Sequence, residues 1–138
     1  EGPAIVQHLA DLKPGSGLAP ANGTWARVRL QEALSYITSE IHKSYSPLFN
    51  PAMPEEGKAL YRARLMDRFK YVDQILADRD YLLGADFSVA DAYLYVVTRW
   101  APVVKLDLSG FQHLAAFAAR VAARPAVQQA IKAEGLPG

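Results

Sequence analysis

The chain has 138 residues, 51% apolar and 21% charged, which predicts one globular domain with a buried core and argues against disorder. Its 15 basic and 14 acidic residues give a formal net charge of +1, without the basic excess usual in nucleic-acid-binding proteins. No cysteine is present, which excludes disulfides, thiolate metal sites and a cysteine nucleophile from this chain. No apolar run approaches the roughly 20 residues that span a bilayer, so we expect neither nucleic acid nor a membrane as a partner.

The first predicted element is a short helix over residues 3–12. Pro3 lies in the first turn, where its missing N–H breaks no helical hydrogen bond. One apolar stripe follows from the spacing of Ile5, Leu9 and Leu12. The stretch after this helix is rich in Gly, Pro and Ala, which predicts a linker over residues 14–23.

Two longer helices are predicted next. Thr24 is the expected N-cap of a helix over residues 25–45, which Pro47 and the serine before it are expected to end. The residues expected on its buried side are Val28, Leu30, Leu34, Ile37 and Ile41. The other helix covers residues 55–77 and begins with two glutamates, which interact favourably with the helix dipole.

The last part of the chain predicts three more helices. The helix over residues 88–104 is the most apolar, so we expect it to be central and buried. An alanine-rich helix follows Gly110 and ends near Ala123, and Pro125 begins a final short helix. No stretch alternates polar and apolar residues as a strand would, and the chain is predicted to be all-α.

Ser88 and Asp91 form a predicted capping box at the start of the apolar helix. The Ser88 side chain can accept from the N–H of Asp91, while the Asp91 carboxylate accepts from the N–H of Ser88. Such a cap contributes about 1 kcal/mol on an exposed helix, and more where water cannot reach the donors. We therefore expect a structural role for both residues, without contact to a substrate.

Four segments, in this order along the chain, resemble the bacterial beta class of the glutathione transferase family. They are Glu1-Gly2-Pro3-Ala4-Ile5; Glu40-Ile41-His42-Lys43-Ser44-Tyr45-Ser46-Pro47-Leu48-Phe49; Gly84-x-Asp86-Phe87-Ser88-x-Ala90-Asp91 with Tyr93-Leu94; and Arg99-Trp100 with Arg124-Pro125-Ala126-Val127. The resemblance implies a helical bundle of the type found in the C-terminal domain of these enzymes. It also implies that residues 1–13 are the last helix of an otherwise missing thioredoxin-like domain, that 14–23 is the linker and that 24–138 is the helical domain.

The resemblance implies an enzyme that conjugates glutathione to small hydrophobic electrophiles. Such an enzyme stabilises the thiolate of glutathione, its co-substrate, and thiolates are the nucleophilic form of thiols. The intact protein is expected to be a homodimer that uses the second and third helices. The missing cysteines fit a reducing compartment, so we expect a cytoplasmic protein. Because the upstream domain grips glutathione in this family, the chain alone is expected to be inactive.

The same resemblance assigns the residues that bind glutathione. Glu1 matches the acidic residue that pairs with the γ-glutamyl ammonium, a charge-assisted contact. Gly2 matches a small residue whose N–H, at a helix N-terminus, can hold a carboxylate. Ser35 stands where relatives often carry Asn, which contacts glutathione in the partner subunit.

His42 and Lys43 match the residues that face the active-site cleft, and the resemblance implies that they are catalytic. His42 can share a proton near the glutathione sulfur, and Lys43 can stabilise a thiolate. The electrophile pocket is expected to include His42, Trp100 and Tyr93. No metal site is expected, because the histidines at 8, 42 and 113 lack the spacing of metal ligands.

Two alternatives remain open from the sequence. The chain resembles non-catalytic helical interaction modules of the same fold, although the cleft residues His42, Lys43 and Trp100 argue against that role. A glutathione-dependent thiol-disulfide reductase would carry a cysteine in the upstream domain, so only that domain distinguishes it from a conjugating enzyme.

Overall fold

The computed structural model describes residues 1–136, and within them it contains helices and turns but no β-strand. The α-helices in this range are α1 (Gly2–Asp11), α2 (Trp25–Tyr36), α3 (Lys43–Phe49), α4 (Glu55–Ile75), α5 (Val89–Thr98), α6 (Gln112–Ala122) and α7 (Pro125–Ala133). The prediction of an all-α fold is confirmed. Thr24 caps α2, and its side chain accepts from the N–H of Arg27 at 3.2 Å.

A π-helical segment, Ile37–His42, joins α2 to α3 without a loop. The sequence predicts one helix that ends before Pro47, but α3 passes through Pro47 and ends at Phe49. Pro47 lacks the N–H that would bond to the carbonyl of Lys43, four residues earlier, but the helix continues for two residues beyond it. The expected helix end was therefore wrong.

The central helix, α5, packs against α1, α2, the π-helical segment and α6, as expected of the most apolar helix. It ends at Thr98, however, and residues Pro102–Val104 form a separate 3₁₀ turn. The predicted end at residue 104 was wrong because the ring of Pro102 clashes with a helical carbonyl four residues earlier, which is that of Thr98.

The hydrophobic core lies between α2, the π-helical segment, α4, α5 and α6. Its fully buried side chains include Leu30, Leu34, Ile37, Ile41, Tyr45, Leu65, Phe69, Leu94, Phe117 and Val121. Val28, which the sequence places on the buried side of its helix, is 45% exposed instead, and Val96 of the apolar helix α5 is 47% exposed. Each lies two residues from a buried leucine, a rotation of about 200° around the helix axis, and so faces the opposite side.

Helix α1 is attached to the bundle by an ion pair and a small apolar contact. The Arg27 guanidinium on α2 donates to the Asp11 carboxylate and to the carbonyl of Pro20, the latter at 2.7 Å. Ala10 is buried against the core. The apolar stripe of α1 that the sequence predicts, formed by Ile5, Leu9 and Leu12, is exposed.

Candidate functional site

The N-terminus of α5 is buried, and it fixes the start of the helix on which part of the site lies. Asp91 is 0% exposed, and its carboxylate accepts from the N–H groups of Leu82 and Ser88, each at 2.8 Å, and from the Ser88 hydroxyl at 2.7 Å. The Ser88 side chain also accepts from the N–H of Ala90 at 3.3 Å. Burial raises the pKa of Asp91, against the opposite effect of these hydrogen bonds. Ser88 and Asp91 form the capping box of α5 and leave no polar group free for a substrate.

His42 is the last residue of the π-helical segment. Around this segment, side-chain hydroxyls bond to backbone carbonyls four residues earlier: Thr38 to Leu34 at 2.8 Å, Ser39 to Ser35 at 3.0 Å and Ser44 to Glu40 at 2.7 Å. Such bonds compete with the helical ladder and bend helices. These bonds accompany the wide π-helical turn, which ends at His42, and His42 contacts Tyr93 of α5. π-helical turns occur frequently at functional sites.

The His42 imidazole lies between Tyr93, from the middle of α5, and Trp100, from the turn that follows α5. Its Nδ1 atom is 2.6 Å from the Tyr93 hydroxyl oxygen. The Trp100 ring packs edge-on against the imidazole, with a centroid distance of 4.9 Å. All three side chains are half-buried, so they combine a fixed geometry with access to a ligand.

The N-terminus of α1 reaches the same place. A Cβ atom at Gly2 would lie 3.9 Å from Cζ of Tyr93, so the backbone of Gly2 lies directly beside the phenol ring. Burial lowers the pKa of His42, the positive charge of Lys43 lowers it further, and the negative charge of Glu1 raises it. The neutral imidazole is therefore favoured at neutral pH. Glu1, Gly2, His42, Tyr93 and Trp100 are called the His42 cluster below.

Two predicted site residues lie outside this cluster. Lys43 is exposed and follows His42 directly, so its charge acts on the imidazole without a direct contact. Ser35 is exposed near the end of α2, and its carbonyl accepts from the Ser39 hydroxyl. The structure does not bring Ser35 to the imidazole.

Sequence reasoning missed two features of the site. The first is the π-helical segment, which contains Thr38. The available sequence signal for this segment was the pair Thr38-Ser39 followed by Ser44. The second is the aromatic wall behind Trp100, where the Tyr45 and Phe49 rings lie 5.5 and 6.0 Å from the Trp100 ring. Within residues 1–136 the buried Tyr45 hydroxyl has no hydrogen-bond partner, and burial raises its pKa.

A separate cleft of about 610 Å³ lies between α2, α4 and the loop before α5, where Tyr36, Tyr71 and Phe87 contribute to its lining. No residue of the His42 cluster lines it. Across residues 1–136, no group of three or more His, Cys, Asp and Glu side chains is arranged to hold a metal ion. In the same range, no helix combines the length and apolarity needed to cross a membrane.

Comparison with known families identifies the bundle. The family model for "Glutathione S-transferase, C-terminal domain" matches residues 36–125, which is more than half of the chain. The chain belongs to the glutathione S-transferase family. The matched region contains the π-helical segment, His42, Tyr93 and Trp100, whereas Glu1 and Gly2 of the His42 cluster lie outside it.

Individual glutathione S-transferases agree with this identification. GstA from Escherichia coli O157:H7 is 49% identical over 137 residues, which cover 99% of this chain and 68% of GstA. A sphingomonad glutathione S-transferase solved in complex with glutathione is 46% identical, with a TM-score of 0.94 over 99% of this chain and 68% of that one. A beta-class enzyme from Sphingomonas chungbukensis is 42% identical, with a TM-score of 0.95 and the same coverage. The resemblance to the bacterial beta class is confirmed, as is the C-terminal helical-domain fold.

Proposed function

We propose that the intact protein conjugates glutathione to small hydrophobic electrophiles, with the His42 cluster beside the reacting sulfur. The observation that carries this proposal is a half-buried imidazole held between Tyr93 and the Trp100 ring, with the N-terminus of α1 beside Tyr93. Residues 1–13 are then the last helix of a thioredoxin-like domain, 14–23 the linker and 24–138 the helical domain. Family membership and the glutathione-bound sphingomonad relative support this reading.

His42 and Lys43 have different catalytic roles in this proposal. The imidazole forms a hydrogen bond with the sulfur of glutathione and so favours the thiolate, which is the attacking nucleophile. Lys43 is exposed, so its contribution is a longer-range attraction that salt screens. The effect of His42 is therefore larger than that of Lys43.

The α1 end of the cluster binds the peptide part of glutathione. The Glu1 carboxylate pairs with the γ-glutamyl ammonium, and the N–H of Gly2 holds a carboxylate at the helix N-terminus. Ser35 is exposed on α2, the position from which it reaches glutathione in the partner subunit of a homodimer. The dimer forms through α2, α3 and α4, and the protein is cytoplasmic.

Trp100 and Tyr93 line the electrophile side of the cleft together with His42. Aromatic edges and a half-buried surface favour small hydrophobic electrophiles, particularly planar aromatic ones. No metal takes part. The chain alone is inactive, because it contributes few of the groups that grip glutathione.

The experiment is a conjugation assay with glutathione and an aryl halide on the intact protein. His42→Leu, which removes the hydrogen-bond donor, should lower kcat/KM by about 10²-fold, in the range of donors that stabilise a developing anion. Lys43→Gln should have a smaller effect that vanishes at high salt. His8→Leu and Lys13→Gln, at exposed positions of α1 and of the turn that follows it, are the matched controls. Equal activity of His42→Leu and wild type would overturn the proposal.

A further inference from the structure

A chain of hydrogen-bonding groups links the backbone of α2 to His42. The Thr38 hydroxyl is 2.8 Å from the carbonyl oxygen of Leu34, and the same hydroxyl is 3.4 Å from the Tyr93 oxygen. The Tyr93 oxygen is in turn 2.6 Å from Nδ1 of His42. A threonine hydroxyl and a tyrosine hydroxyl each donate one proton, so the direction of these bonds can be worked out by counting protons.

The hydroxyl proton of Thr38 can be assigned first. A carbonyl oxygen only accepts, so the short contact with Leu34 requires Thr38 to donate there. Thr38 then has no proton left for Tyr93 and offers it only a lone pair, at the longer distance of 3.4 Å.

The Tyr93 proton has two possible acceptors, Thr38 and His42. A distance of 2.6 Å to Nδ1 is that of a strong hydrogen bond, whereas 3.4 Å to Thr38 lies beyond the usual range for an O–H donor. Donation to Nδ1 requires a lone pair on that nitrogen. Since the imidazole is favoured in its neutral form, its single proton is then on Nε2.

We propose that Tyr93 is a positioning residue: it donates its phenolic proton to Nδ1 and so fixes His42 as the tautomer with a proton on Nε2. This assigns Tyr93 a role besides lining the electrophile pocket. Within residues 1–136, Nε2 has no hydrogen-bond partner, so its N–H is available to a ligand.

The consequence for catalysis rests on the proposed function. With Nδ1 occupied by the Tyr93 proton and Nε2 already protonated, neutral His42 has no free lone pair and cannot accept the thiol proton of glutathione. When the S–H bond breaks, the proton passes to solvent water, and the electron pair stays on sulfur. The thiolate then accepts a hydrogen bond from Nε2–H, so His42 acts as a hydrogen-bond donor and not as a general base.

The test is a long-range ¹H–¹⁵N NMR spectrum of the imidazole rings in this chain, at a pH where His42 is neutral. Tautomers differ strongly in the nitrogen shifts of the protonated and unprotonated ring positions. The chain contains 3 histidines, and His42→Gln assigns the His42 signals by their disappearance. We expect one Nε2–H tautomer for wild type, a mixture of tautomers for Tyr93→Phe, and no change for Thr38→Val.

Two results would overturn the inference. The first is an Nδ1–H tautomer in the wild-type chain. The second is a Thr38→Val spectrum that shifts toward a mixture, since the tautomer would then depend on Thr38 and not on the Tyr93 proton alone. An unchanged far-ultraviolet circular dichroism spectrum and a cooperative thermal transition show that Tyr93→Phe remains folded. The spectrum needs no glutathione, so a failed conjugation assay and a wrong tautomer are separate outcomes.

Discussion

Arg27 and Asp11 form an ion pair in which the two partners differ sharply in exposure: the Arg27 side chain is 5% exposed and that of Asp11 is 38% exposed. The buried guanidinium also donates to the Pro20 carbonyl, so one side chain fixes α1, the linker and α2 together. Arg27→Ala should therefore destabilise the chain by about 2 kcal/mol, below the 3–5 of a fully buried pair. Chemical denaturation measures this loss. Arg29→Ala is the control, because Arg29 pairs with Glu32 on the surface and should change stability little.

Tyr45 provides a second test of the packing. Its buried hydroxyl has no hydrogen-bond partner in the described part of the chain, so Tyr45→Phe removes an unsatisfied polar group and should stabilise the chain by about 1 kcal/mol. The Tyr36 hydroxyl donates to the carbonyl of Arg68 at 3.1 Å, and Tyr36→Phe should cost about 1 kcal/mol. A gain in stability for Tyr45→Phe and a loss for Tyr36→Phe, both measured by thermal unfolding, would support this account of the core. Equal losses for both variants would contradict it.

The hydrogen bonds that cap α5 predict that Asp91→Ala lowers the stability of the chain more than Ser88→Ala does. Asp91→Ala leaves two buried N–H groups, those of Leu82 and Ser88, without an acceptor, and should cost about 3 kcal/mol. Ser88→Ala removes the hydroxyl bond to the Asp91 carboxylate and a weaker bond from the N–H of Ala90, but it leaves Asp91 with both backbone donors, so it should cost about 1 kcal/mol. Denaturant titration measures both. A larger loss for Ser88→Ala than for Asp91→Ala would show that the carboxylate does not hold this helix start.

His42 predicts a pH dependence of stability. Burial and the charge of Lys43 lower the pKa of the folded imidazole below its ordinary value of 6.5. The unfolded state therefore binds the proton more readily, and the stability of the fold should decrease as the pH falls through about 6.5. His42→Gln should flatten this part of the curve, measured by thermal unfolding between neutral and mildly acidic pH. An unchanged slope in the variant would contradict the neutral imidazole.

Much of this fold follows from the sequence, because helix boundaries depend on local chemistry. Thr24 and Ser88 lie where polar N-cap residues precede apolar runs, and the structure starts helices after both. The errors at Pro47 and Pro102 have different causes. At residue 47, proline was interpreted as a helix end, but the helix that follows the π-helical segment continues through it. At residue 102, the clash between the proline ring and the carbonyl four residues upstream was overlooked.

The site was less accessible to sequence reasoning. Periodicity places residues on a helix face but assumes a regular turn, so it gives no information on the π-helical segment that ends at His42. The contact between His42 and Tyr93 joins residues 51 positions apart and depends on how two helices cross. Only the family resemblance singled out both residues, and it did not specify their hydrogen bond.

The most direct test of the central claim is the ionisation of glutathione bound to the intact protein, followed by the ultraviolet absorbance of its thiolate as the pH is raised. If the His42 cluster stabilises the sulfur anion, the bound thiol ionises at a lower pH than free glutathione, and His42→Leu, which removes the donor, moves this ionisation toward that of the free thiol. An identical ionisation curve for wild type and His42→Leu, with glutathione bound in both, would contradict the account.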